Sequence, residues 1–92
     1  MEKAFRWNPE KNEQLLRERG LGFEEVIELI GEGFLLRVLE HPNRTKYPNQ
    51  KMFEIDVQGY VHLVPFVEDE DQIFLKTIFP SRKATKARRR LS

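Results

Sequence analysis

Ninety-two residues, 39% of them hydrophobic, make one small domain with a barely adequate core, burying roughly 60–70% of the surface of its unfolded chain. The absence of cysteine excludes disulfides and thiolate metal sites and points to a reducing cytoplasm. No apolar run approaches the ~20 residues of a membrane span, and no signal-type apolar region follows Met1-Glu2-Lys3. A net charge of +1 hides a separation: carboxylates gather at Glu24, Glu25, Glu28 and in Glu68-Asp69-Glu70-Asp71, whereas from Arg82 onward the tail holds six basic residues and no acidic one.

Ala4-Phe5-Arg6-Trp7 alternates as a brief edge strand does. Asn8-Pro9-Glu10-Lys11 reads as a helix start, with Asn as N-cap and Pro at the first helical position; the helix runs to about Arg19, turns Leu15 and Leu16 inwards, and stops at Gly20. A second helix covers residues 23–30, where Phe23, Val26, Ile27 and Ile30 recur at i, i+3, i+4, i+7, and Gly31 and Gly33 end it.

From Phe34 the period changes to two. Residues 34–40 form a strand, 41–50 a loop, and 51–57 a strand with Phe53, Ile55 and Val57 on one face. Gln58-Gly59 signals a hairpin into residues 60–67, and the acidic turn 68–71 reverses the chain into residues 72–79. Pro65 requires a position where no ladder N–H is needed. Pro80 closes the last strand and Ser81 caps a short basic helix to about Arg90. The expected class is α+β in the order β-α-α-β-β-β-β-α: a short strand and helical hairpin packed on an antiparallel sheet, then a basic C-terminal helix.

His41 and His62 fall in different elements with no cysteine nearby, so neither a metal nor a cofactor is expected. The candidate chemistry is a set of basic, aromatic and imidazole groups on and around the sheet: Lys46, Tyr47, Lys51, Tyr60, His62, Lys76, Arg82, Lys83 and Lys86. Such groups serve a phosphate backbone, since each cation displaces a condensed counterion and each ring stacks on a base. Tyr60, His62, Val64 and Phe66 share one side of their strand, as do Phe74, Lys76 and Ile78. If those sides coincide, Lys76 and His62 meet and Arg82 arrives from the following turn. Cleavage of RNA by its own 2′-hydroxyl needs a proton acceptor, a proton donor and a ligand for the pentacoordinate phosphate, and His62, Lys76 and Arg82 are of the right types. The same residues have plainer roles: His62 packing in a strand, Lys76 guarding an edge, Tyr60 making cross-strand contact, Ser81 only capping.

Phe5-Arg6-Trp7-Asn8-Pro9-Glu10-Lys11-Asn12 resembles the FxWDPxKN opening of BrnT-type toxins. Gly20-Leu21-Gly22-Phe23-Glu24-Glu25-Val26 is similar to their HGVSFEEA segment, and Ser81-Arg82-Lys83-Ala84-Thr85-Lys86 to their SARKAT close. This chain has Asn8 where the family has Asp, and Arg19 where it has His before Gly. The resemblance implies a RelE-like α+β fold and a metal-independent endoribonuclease, the toxin of a type II toxin–antitoxin pair acting on mRNA. It also implies a cognate antitoxin that carries a DNA-binding module, expected to be acidic and to cover the basic edge. Arg82 and Lys83 match the basic pair of the closing motif, and Lys11 the lysine of the opening one. Arg82 is thus expected to hold the transition-state phosphate, Lys76 and His62 to move protons, and Lys83, Lys86, Tyr60, Tyr47, Lys46 and Lys51 to bind RNA. A non-catalytic nucleic-acid-binding module and a pure protein-interaction module are the competing readings.

Overall fold

The computed structural model describes residues 3–91. Its elements run β1 (Ala4–Trp7), α1 (Pro9–Arg19), α2 (Phe23–Gly31), β2 (Leu35–Glu40), β3 (Gln50–Val57), β4 (Tyr60–Glu68), β5 (Gln72–Leu75), β6 (Phe79–Pro80) and α3 (Arg82–Leu91). The architecture is α+β, with one six-stranded sheet in the order β1-β5-β4-β3-β2 and β6 also paired to β4.

Local chemistry sets the helical hairpin. Asn8 Oδ1 accepts the Glu10 and Lys11 N–H groups at 2.8 and 3.3 Å, and Gly20 ends α1 at φ 70° with its N–H on the Leu16 carbonyl. Four residues into the chain's first helix, Asn12 reaches across the connection: its Oδ1 accepts the Phe23 N–H at 2.8 Å and so caps α2, whose own N-cap, Gly22, has no side chain to do so. The hairpin buries Leu15, Leu21, Phe23 and Val26 against Phe53, Ile55, Val64, Phe66, Leu75 and Ile78 of the sheet side. Phe53 and Phe66 stack across β3 and β4 with centroids 4.0 Å apart, and Trp7 meets Phe23 at 5.9 Å. Leu16, expected inside, is 49% exposed, because one helical step past the buried Leu15 carries it off the sheet-facing stripe.

Two further features differ from the sequence expectation. The sheet is mixed, since β1 pairs parallel to β5, with Ala4 opposite Gln72 and Trp7 opposite Leu75. The expected strand 72–79 is also broken into β5 and β6. Pro65 accounts for the break: its carbonyl accepts the Lys76 N–H at 2.8 Å, but it has no N–H to return, and β5 ends one residue earlier at Leu75. Pairing resumes only where Phe79 and Pro80 face Leu63 and His62. The β3–β4 hairpin is as expected, with Gln58 and Gly59 at φ 53° and 88° and the Gly59 N–H held by Asp56 Oδ1 at 2.7 Å.

Residues opposed across a ladder share a face. Phe53, Ile55, Val64, Phe66 and Leu75 therefore point towards α1 and α2, and Met52, Glu54, Leu63, Val67 and Phe74 towards the other side, where α3 lies.

Candidate nucleic-acid interface

Helix α3 is fixed to the free edge of β4 by its first turn. Ser81 donates its N–H to the Val61 carbonyl at 2.9 Å, and its Oγ caps the helix by accepting the Ala84 N–H at 3.1 Å. Thr85, only 2% exposed, closes the arrangement: its Oγ1 accepts the Val61 N–H at 2.9 Å and donates to the Ser81 carbonyl at 2.7 Å. One turn on, the Arg88 guanidinium meets Asp56 at 2.7 Å and, with help from the Gly59 N–H, holds that carboxyl below its usual range. Thr85 is the residue that sequence reading passed over. Its signal was a β-branched hydroxyl residue four positions after a capping serine, inside an otherwise long-chained basic helix.

This attachment aims Arg82, Lys86 and Arg89, spaced i, i+4, i+7, along one side of the helix. With Tyr60 and Thr85 they line an open concavity of about 450 Å³. His62 stands beside it, its ring edge-on to Tyr60 with centroids 5.9 Å apart and 72° between planes. His62 Nδ1 lies 3.2 Å from the Tyr60 carbonyl oxygen. A carbonyl only accepts, so this contact places a proton on Nδ1 and leaves Nε2 as the basic nitrogen of the neutral ring. Tyr60, His62, Arg82 and Lys86, four of the expected site residues, thus come together, and Arg89 joins them.

The other five lie elsewhere. Lys83 is one helical step from Arg82 and lines a separate hollow with Arg37, Leu39 and Leu63. Lys76 is exposed, and its backbone bonds Pro65, three residues or about 10 Å along β4 from His62. Phe74 lies opposite Val67, whereas Leu75 lies opposite Phe66, so the two sides that were to bring Lys76 and His62 together do not coincide. Lys51 is bound to Glu68 Oε1 at 3.1 Å while Lys3 holds the other oxygen at 2.9 Å; Lys3 and then Lys51 lower the Glu68 pKa. Lys51 faces Phe66, which puts it about 20 Å along the sheet from Tyr60. Lys46 sits over the Tyr47 ring at 5.3 Å, and Tyr47 packs on His41 at 4.4 Å, in the loop that enters β3. Among the described residues no three of His, Asp and Glu converge into a metal-ligating cluster.

The arrangement can grip a phosphodiester from one side by three cations, stack a base on Tyr60 and present one imidazole. Comparison with protein-family models, curated proteins and solved structures finds no match for this chain.

Proposed function

We propose that this chain is a RelE-like ribonuclease toxin of the type II toxin–antitoxin kind, cleaving single-stranded RNA in the cytoplasm and held in check by a small antitoxin. The observation that carries the reading is the convergence of Tyr60, Arg82, Lys86 and Arg89 on one concavity next to His62. In this mechanism the 2′-oxygen attacks the adjacent phosphorus as its proton passes to His62 Nε2. The bond from phosphorus to the 5′-oxygen breaks, and that oxygen takes a proton from solvent, leaving a 2′,3′-cyclic phosphate and a 5′-hydroxyl. Arg82 neutralises the equatorial oxygens, a role worth ~3–4 kcal/mol for a well-placed donor. Lys86 and Arg89 bind flanking phosphates, and stacking on Tyr60 adds ~1–3 kcal/mol. Lys51, about 20 Å along the sheet, and Lys46 and Tyr47 in the loop before it extend the track to more distant nucleotides. Lys76, first matched to proton transfer, is here an outlying contact.

One observation favours a second reading, a nucleic-acid-binding module without cleavage: among the described residues a single imidazole, His62, stands beside the concavity, and no carboxylate lines it to serve as the second proton-transfer group. Induction of the wild-type chain, Arg82→Ala and His62→Ala in a bacterial host, with total RNA examined, separates the two. Growth arrest with RNA cleavage lost in both variants supports the toxin. Intact RNA with salt-sensitive binding that weakens in Arg82→Ala supports the binding module. Intact RNA and no binding sinks both.

A further inference from the structure

The sheet has a face that its own chain leaves partly bare. Leu39, Met52, Leu63, Val67 and Phe74 are only half-buried and stand outside the main hydrophobic cluster, which lies on the α1–α2 side; of this second face's apolar residues Val61, beneath α3, is fully buried. Of the helices among the described residues only α3 covers this second face, and its small residues Ala84 and Ala87 leave hollows of about 250 and 220 Å³, lined by Leu36, Leu39 and Leu63 together with Arg37 and Glu54. The charges here are layered. Glu54 lies beneath Arg37, with side chains 8% and 63% exposed, and Asp56 beneath Arg88, at 16% and 42%. The carboxylates are therefore sunk and the cations turned outwards. Lys83 at one end of the strip and Arg6, beside Phe74 at the other, are exposed and form no ion pair among the described residues. From β2 to β1 the strip crosses about 19 Å, the length of a helix of about 13 residues.

We propose that this second face, alongside α3, seats an acidic amphipathic helix of a partner protein. The apolar stripe of that helix covers Leu39, Leu63, Val67 and Phe74, and its carboxylates meet Lys83, Arg37 and Arg6. A basic helix would set its cations against Arg37 and Lys83, and a wholly polar one would leave the apolar strip wet. The seat is on the opposite side of α3 from the Arg82–Lys86 concavity and does not depend on RNA cleavage.

The test uses the full chain and two designed peptides of about 14 residues. Both carry leucines at i, i+3, i+4, i+7; the polar positions are glutamate in one and lysine in the other. Binding is followed by fluorescence anisotropy and by amide shifts. The expected result is binding of the glutamate peptide, with shifts at Leu39, Leu63, Val67 and Phe74, and about tenfold weaker binding of the lysine peptide. The Arg6→Glu/Lys83→Glu variant should lose about tenfold in affinity for the glutamate peptide. Leu39→Ser, which changes no charge, should also weaken it, with unfolding curves confirming that both variants fold. The inference is overturned if neither peptide binds, if both bind alike, or if the shifts cluster at Tyr60 and Lys86. It is equally overturned if sedimentation shows a dimer that the glutamate peptide does not dissociate, for then a second copy covers the face.

Discussion

Replacing Thr85 by valine keeps the shape of a buried side chain and removes only its hydroxyl. Two hydrogen bonds go with it. The Ser81 carbonyl keeps a partner, since it still accepts the Thr85 backbone N–H at 3.0 Å, so that loss costs only ~0.5–1 kcal/mol. The Val61 N–H does not. Val61 is fully buried, its strand edge is closed at this point by α3, and no other acceptor is supplied, so the orphaned donor costs ~1–3 kcal/mol. The sum, about 1.5–4 kcal/mol, lowers the thermal midpoint of a 92-residue domain by about 6–30 °C. Urea unfolding should show a lower midpoint at unchanged slope, and hydrogen exchange should show the Val61 amide losing protection out of proportion to its neighbours. An unshifted midpoint with Val61 still protected would refute the reasoning, since it would mean that the Val61–Thr85 bond does not fasten α3 to the sheet.

Gly22→Ala should cost ~1–3 kcal/mol, because a Cβ there meets Asn12 Oδ1 at 2.8 Å and Leu16 Cδ2 at 3.0 Å; unfolding curves should show most of that cost vanishing in an Asn12→Ala background. Arg82→Ala should flatten the salt dependence of RNA binding by about 0.7 in log–log slope, whereas Lys83→Ala, on the other side of the helix, should leave it unchanged; titrations at several salt concentrations decide. Asp56 and Glu68 have folded pKa values below their usual 3.8 and 4.5, so their ion pairs stabilise the fold above those values and fail as pH falls through the lowered ones. Urea midpoints should therefore drop on acidification below about pH 4.5, and Asp56→Asn/Glu68→Gln should flatten that drop.

The helical hairpin was legible because its signals are local: a capping Asn8, Pro9, a stop at Gly20, and apolar residues at i, i+3, i+4, i+7. The β3–β4 hairpin was legible for the same reason, as Gln58-Gly59 fixes its turn. The parallel β1–β5 pair was not, since nothing near Ala4 or Gln72 says which distant strand will lie alongside. The cost of Pro65 fell on its neighbour: the strand that breaks is the one across from the proline. In the site, Tyr60 and His62 were placed together by strand alternation, whereas Arg82, Lys83 and Lys86 were grouped only as one basic segment, and it is the helical spacing of α3 that keeps Arg82 and Lys86 on one side and turns Lys83 away. Lys76 was misplaced because alternation along two strands does not reveal which sides match; register does, and register is set by the whole sheet.

The parallel pairing of the first strand with β5 also dictates an order of events during synthesis. Ala4-Phe5-Arg6-Trp7 leaves the ribosome before the other strands of the sheet, yet its only ladder partner among the described residues is Gln72–Leu75, the fifth strand. Until that segment emerges, Phe5 and Trp7 have helices to touch but no strand to join, and closing so long a loop is slow compared with forming the hairpins in between. The sheet must grow outwards from β3 and β4, and the strand translated before the others is among the last to be locked in place.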